Sequence, residues 1–471
     1  MSIAIATVVF AAGILGLFWL NRDPSVKTSK ALWIPVAWFV IAGSRSPSEW
    51  FGAPSLASLD TMYVEGNPFE RNIFLGLIIL AVLALIPRRQ RIVEVMRGNA
   101  PILMFLLYCA FSLLWSDYPD VGFKRWTKLI GDLGMVLIVA TDVNPLAAFD
   151  RLMTRTSFLL VPLSILFIRY YPQLGRTYET WSGAMHWTGV TTNKNTLGLI
   201  CMILGLHALW RTVRAFHSKN SKRRSRELIV HVTILLMIAY LLHEANSATS
   251  TSCFVLGGSL ILAISFFRSA RRPATVHLLA VGTVALAACA AFFNFAGLLA
   301  HLGRKSDLTG RTELWNVVLS QPVSRLFGAG YESFWVGQRV ATVQRMAGQF
   351  ANQSHDGYIE ILVNLGWVGV AFLALLIVTG YGKIARAIRL DAETNCLRLA
   401  YFVAALTYNF TEAAFKMQDP VWICFVWAIV SAPIASRVRR KKVVVGPVEY
   451  RSPSEATPAA HAVLARIPSR S

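Results

Sequence analysis

Apolar runs long enough to cross a bilayer recur almost from one end of this chain to the other, separated by short polar segments. A spanning helix needs about 20 mostly apolar residues. Within hydrocarbon the backbone has no water to pair with, so runs of this kind fold as helices packed into a bundle. Thirteen candidate spans can be drawn, at about 2–20, 31–48, 72–87, 100–115, 128–141, 156–171, 196–211, 228–243, 251–267, 277–299, 366–381, 397–411 and 420–436. A composition of 55% hydrophobic and 15% charged residues agrees with them. The expectation is an all-α polytopic integral membrane protein with about 12–13 transmembrane helices. The first twenty residues hold no Lys or Arg ahead of the apolar run, so they read as a retained helix.

The formal charge of +21 would suit nucleic acid if it stood on one soluble face. Its placement argues otherwise. With the basic stretch around Arg439, Arg440, Lys441 and Lys442 put in the cytoplasm, segments 21–30, 87–99, 142–155, 211–227, 268–276, 382–398 and the tail fall inside. They hold 31 of the 46 Lys and Arg. That bias is the positive-inside signal of an inner-membrane protein. The cluster Lys219, Lys222, Arg223, Arg224 and Arg226 then reads as a contact with the inner leaflet. The chain divides into N-terminal spans (1–299), one large and partly helical periplasmic loop (300–365), C-terminal spans (366–442) and a disordered cytoplasmic tail (443–471). The six cysteines lack paired spacing and no metal-ligand or nucleotide motif occurs, so neither disulfides, a metal nor a cofactor is expected.

Loops beyond about 12–15 residues usually carry function, which makes 300–365 the candidate catalytic region. Thr309–Leu319 reads as a short amphipathic helix with Leu314, Trp315 and Val318 on the membrane surface. Pro322 and the Gly328-Ala329-Gly330-Tyr331 turn then reverse the chain. At the loop's end, Ser354 is a good N-cap, apolar residues recur at Ile359, Leu362 and Val363, and Gly366 is a natural stop. His355 would occupy the first helical position, where the dipole disfavours imidazolium and free N–H groups suit an anion. Taken alone, the same residues also describe a solvated histidine at a helix cap.

A second helix start follows Thr191-Thr192-Asn193-Lys194-Asn195, with Asn193 as N-cap and Lys194 at the membrane surface. Arginines placed outside include Arg125, Arg176 and Arg311. Guanidinium suits bidentate phosphate binding, whereas lysine acts as a point charge. Two anion-suited helix starts, several arginines and a neutral histidine on one membrane face describe a lipid-diphosphate site. There the histidine would activate an attacking hydroxyl. Asp356 and Glu360 more simply complement their helix start.

Five segments resemble the family of O-antigen ligases and Wzy-type repeat-unit polymerases. They are Gly189–Gly198, Gly310–Trp315, Gly328–Tyr331, Ser354–Tyr358 with Leu365-Gly366, and Trp115–Pro119 with Arg125. The resemblance implies transfer of a glycan from an undecaprenyl-diphosphate carrier to an acceptor hydroxyl without a metal. It maps the family's essential arginine and histidine onto Arg311 and His355. Substrate-binding roles fall to Arg176, Lys194, Asn193, Asn195, Arg125, Tyr331 and Glu313. The ligases commonly carry a further arginine before a later span. Here the comparable Asn246-Ser247-Ala248-Thr249-Ser250-Thr251-Ser252 has none. The chain therefore looks more similar to exopolysaccharide polymerases of the succinoglycan type, with Arg176 or Arg125 supplying the charge.

The expected partners are the lipid-linked oligosaccharide, a growing glycan or lipid acceptor, the bilayer and chain-length or export proteins, without nucleic acid. An O-antigen ligase acting on lipid A-core is the alternative. A transporter is less favoured, because its ionisable groups belong near the bilayer midplane, and Asp132 and Glu412 stand near the ends of predicted spans.

Overall fold

The computed structural model describes residues 2–23, 25–52, 66–178, 183–292, 309–348 and 351–430. The expected tail and the first part of the large loop, 300–308, lie outside these residues. Thirteen helices among the described residues occupy the expected spans. They are α1 (Ile3–Leu20), α2 (Trp33–Ala42), α3 (Pro68–Leu85), α4 (Ala100–Phe111), α5 (Pro119–Ala140), α6 (Pro145–Tyr170), α7 (Lys194–Phe216), α8 (Ser221–Ala245), α9 (Ala248–Phe266), α10 (Pro273–Phe292), α13 (Gly357–Leu390), α14 (Ala392–Tyr408) and α15 (Pro420–Val430). Among the described residues eight helical segments are long and apolar enough to cross a membrane on their own. Between α10 and α13 come α11 (Thr309–Leu319) and α12 (Gln338–Ala347).

Local chemistry sets many of the helix starts. Proline stands in the first turn of α3, α4, α5 and α6, where its missing N–H would have had no intrahelical partner. Asn67, Asn144 and Asn193 cap α3, α6 and α7 through their side chains. In the centre of the bundle α7 and α14 are buried along most of their length. Small residues permit close approach there. A Cβ on Gly198 would press on Ser247 and Ser250 of the α8–α9 corner, and one on Gly380 would press on Ile429.

The expected stop at Gly366 is present as a break within α13, where Gly366 adopts φ 66° and ψ −169°. The groups freed by that break are answered by the large loop. Trp367 N donates to the Arg325 carbonyl (3.0 Å) and Val368 N to that of Leu326 (3.2 Å). In return, Ala329 N donates to Val363 O (2.9 Å) and Gly330 N to Asn364 O (2.8 Å). Buried backbone groups left unpaired here would cost about 1–3 kcal/mol each.

The loop has a small core of its own, formed by Leu314, Val318, Phe334, Val343 and Val363. Leu314 and Val318 are therefore buried within it rather than laid on a membrane surface, because α12 and the 334–335 turn cover that face of α11. The loop docks on the α4–α5 corner, where Ser116 and Ser333 share a 2.6 Å hydrogen bond and Asp117 pairs with Arg339 at 2.5 Å. At the opposite end of the bundle, Arg223 of the basic cluster is paired with Glu227 (2.8 Å) and Asp23 (3.2 Å).

Candidate functional site

His355 is held in place by its neighbours' backbone. Asp356, not Ser354, is the N-cap of α13; its carboxylate accepts from Tyr358 N (2.8 Å) and Ile359 N (2.9 Å). His355 thus precedes the helix instead of opening it, and it takes a left-handed φ of 55°. A non-glycine residue in that region costs on the order of 1–3 kcal/mol and persists only where its surroundings dictate it. They do so here. Trp315 Nε1 donates to the Ser354 carbonyl (2.8 Å), and Ser354 N donates to Glu360 Oε1 (2.5 Å). Glu360 is itself held by Trp335 Nε1 at 2.9 Å. Gly357 N donates to Asn409 O (2.8 Å), and no Cβ fits at Gly357 beside the Asn409 side chain. Burial raises the Asp356 carboxyl to about 6, against the pull of the two capping N–H groups and of Arg311.

The centre of the site is Glu412, in the corner between α14 and α15. Its Oε2 lies 3.3 Å from His355 Nδ1 and its Oε1 lies 3.4 Å from Arg311 Nη2. Asn195 Nδ2 also donates to Oε1 (3.4 Å), and Arg311 Nη1 donates to the Thr411 carbonyl. A carboxylate at Nδ1 favours the tautomer with its proton there, which leaves Nε2 with the lone pair of a base. Gln353 Nε2, 3.3 Å from the same ring nitrogen, is then a bystander whose own carbonyl oxygen accepts from Lys416 Nζ (3.0 Å). The corner that carries Glu412 is itself anchored by Asp132 of α5, which accepts from Gln418 N (2.8 Å) and Trp38 Nε1 (2.7 Å).

His355 and Glu412 line a cavity of about 550 Å³, together with Lys194, Asn195, Lys416 and Asp419. The N-terminus of α7 opens on it, so its dipole adds to the two ammonium groups. Burial and the neighbouring Glu412 push the Asp419 carboxyl up to about 7, against Lys416 and the capping N–H groups of Val421 and Trp422. A second cavity of about 400 Å³ adjoins the first and shares Asn193, Gln353, Ala413 and Lys416 with it. Arg125, Tyr331, Glu332 and Asn352 line the smaller cavity but not the larger. Among the described residues four non-glycines have positive φ, namely Asn246, Glu332, His355 and Gln418. Three of them line a cavity and the fourth precedes Asp419. Strain of this kind concentrates where a site is held against its local preference.

The residues singled out in the sequence thus separate. His355, Lys194, Asn193 and Asn195 share the larger cavity, with Arg311 behind Glu412. Arg125 and Tyr331 belong to the smaller one, where Arg125 Nη1 donates to the Glu332 carbonyl (2.5 Å). Arg176 and Glu313 line neither. Arg176 sits on β1 (Arg176–Tyr178), paired with β2 (Met185–Trp187). Its guanidinium donates to the Ile168 carbonyl and stacks 4.5 Å over Trp187, while the next residue, Thr177, faces the cavity. Glu313 is exposed on the outer side of α11. The residues that sequence reasoning did not place in the site are Glu412, noted only as an acid near the end of a span, Lys416 and Asp419. Their one signal was three charged residues in the eleven-residue corner, 409–419, between two apolar helices. The Ser/Thr-rich stretch after Asn246 contacts the same corner through Thr249 and Thr411 (2.8 Å).

Comparison with known proteins covers part of this region. Residues 231–374, which include Arg311 and His355, match the family model described as O-antigen ligase. Over 322 residues the chain is 26% identical to the exopolysaccharide production protein ExoQ of Rhizobium meliloti (strain 1021), covering 65% of this chain and 70% of that protein. The chain is therefore a multi-pass membrane protein that carries a segment matching the O-antigen ligase family and is similar to a protein of exopolysaccharide production.

Proposed function

We propose that the protein polymerises exopolysaccharide repeat units carried on undecaprenyl diphosphate, at the periplasmic face of a bacterial inner membrane. The observation that carries this reading is the single carboxylate of Glu412, which joins the base candidate His355 to Arg311 beside a lysine-lined cavity. His355 Nε2 takes the proton of an acceptor hydroxyl as its oxygen bonds to the anomeric carbon of the donor sugar. The bond from that carbon to the diphosphate breaks, and the lipid diphosphate leaves with the electron pair. Lys194, Lys416, Arg311 and the α7 N-terminus stabilise the charge that accumulates on the leaving group. Glu412 fixes the imidazole's tautomer and stabilises the imidazolium that forms. Chain-length and export proteins would act on the product.

The test is a transfer assay with the purified full chain and a lipid-diphosphate repeat unit. Growth of a ladder on the carrier supports polymerisation. Transfer only to lipid A-core would make the protein a ligase, and no transfer together with gradient-driven uptake into liposomes would make it a transporter. Wild-type polymer lengths from His355→Ala or Arg311→Ala would overturn the site.

A further inference from the structure

We infer that the smaller cavity is a saccharide subsite that holds the acceptor glycan, separate from the diphosphate cavity; this rests on the glycosyl-transfer reading above. In a displacement at the anomeric carbon the attacking hydroxyl must reach that carbon without crossing the diphosphate. Acceptor and diphosphate therefore need separate chambers that meet near the base. The two cavities meet at a shared wall that includes Gln353 and Lys416, and Gln353 stands two residues from His355.

The smaller cavity is mainly polar, but its charges are balanced: Arg125 and Lys416 stand against Glu332 and Glu360. The larger cavity is also lined two against two, by Lys194 and Lys416 against Glu412 and Asp419, but the first turn of α7 opens on it and Arg311 stands behind Glu412, which tips its field positive. A diphosphate gains little from a chamber without excess positive charge, whereas a polyhydroxyl ligand gains from alternating donors and acceptors. Arg125, Asn352 and Gln353 supply donors and the Glu332 carboxylate an acceptor.

Glu332 is held at φ 53°, and Arg125 binds its carbonyl and lies 3.9 Å from its carboxylate. The preceding residue, Tyr331, is fastened through its N–H to Ser112 Oγ (2.9 Å). This arrangement brings a partly exposed carboxylate to the cavity wall against the backbone's preference.

Two measurements on the full-length protein test the assignment. In the first, transfer from the lipid-diphosphate repeat unit is followed while the acceptor, free repeat-unit oligosaccharide, is varied. Asn352→Trp, at an exposed loop position, fills the chamber; it should raise the acceptor KM about tenfold or more and leave the donor KM within about twofold. Lys194→Ala should do the reverse. A raised donor KM, or an unchanged acceptor KM, in Asn352→Trp overturns the subsite. In the second, binding of the same free oligosaccharide is measured by calorimetry, without any transfer. Saturable binding that is lost in Asn352→Trp and kept in Lys194→Ala is expected; no binding by the wild type, or binding retained in Asn352→Trp, overturns the proposal. Saccharide binding by a protein that never transfers from a lipid diphosphate would remove the polymerase reading and leave the saccharide site standing.

Discussion

Glu412 Oε2 lies 3.3 Å from His355 Nδ1, and the other oxygen of the same carboxylate lies 3.4 Å from Arg311 Nη2. One acid therefore sets the orientation of both groups on which the chemistry rests. Glu412→Gln keeps the shape of the side chain but removes the charge that holds the Nδ1–H tautomer. A positioned general base contributes about 10²–10⁴-fold. Transfer by Glu412→Gln should fall by about that factor, with the donor KM changed far less than kcat. Single-turnover kinetics on the purified variant check this, and a loss confined to KM would mean that Glu412 only binds substrate.

The backbone of His355 offers a different test, because fold and function make opposite demands on it. At φ 55° a glycine is free of strain and an alanine is not. His355→Gly should abolish transfer while leaving the unfolding temperature at or above that of the wild type. His355→Ala should abolish transfer and lower that temperature, by about 1 kcal/mol of stability. Thermal unfolding of both variants in detergent, measured beside activity, separates the two effects. Equal unfolding temperatures would show that the loop relaxes when the imidazole is removed.

Trp315 and Glu360 hold Ser354 by its carbonyl and its N–H, and Trp315, which lines neither cavity, should act on catalysis without touching substrate. Trp315→Phe loses one hydrogen bond, worth about 1 kcal/mol. It should lower kcat about fivefold to tenfold with little change in KM for donor or acceptor, and hydrogen exchange at 354–356 should speed up. Faster exchange with unchanged kcat would mean that the His355 loop need not be rigid.

What was legible in the sequence was local. Helix spans follow from the length of apolar runs, the Asn193 cap from its own side chain, and the break at Gly366 from a glycine, which alone tolerates φ 66° together with ψ −169°. The site's second half was not local. Glu412 lies 57 residues from His355 and 101 from Arg311, and in the sequence it is a single acid near the end of an apolar run. Only the packing of α14 and α15 against α5 and the loop brings it to them. Arg176 shows the converse. A loop arginine looks available for phosphate, yet the hairpin register puts it opposite Trp187, and the ring and the Ile168 carbonyl occupy its guanidinium. His355 fell between these cases: Ser354, Asp356 and Gly357 signal a helix start, but which of them caps it depends on Trp315, Glu360 and Asn409 from elsewhere in the chain.

Asp419 gives the site a dependence on pH whose sign can be worked out. Burial and the neighbouring Glu412 raise its carboxyl from the ordinary value of 3.8 to about 7. Between those values the folded protein keeps a proton that the unfolded chain has released. Stability therefore falls as pH rises through that window. Asp356, raised to about 6, acts in the same direction over the lower part of the window. Asp419→Asn retains an oxygen to accept from Val421 N, the bond that caps α15 at 2.8 Å, and it cannot ionise. The variant should match the wild type in unfolding temperature near pH 4 and exceed it at pH 7 and above, so that the gap between the two proteins widens steadily across the window. A gap that is constant from pH 4 to 8, or a variant less stable at pH 7, would show that Asp419 is ionised and paired in the folded protein, with Lys416 as its counter-charge.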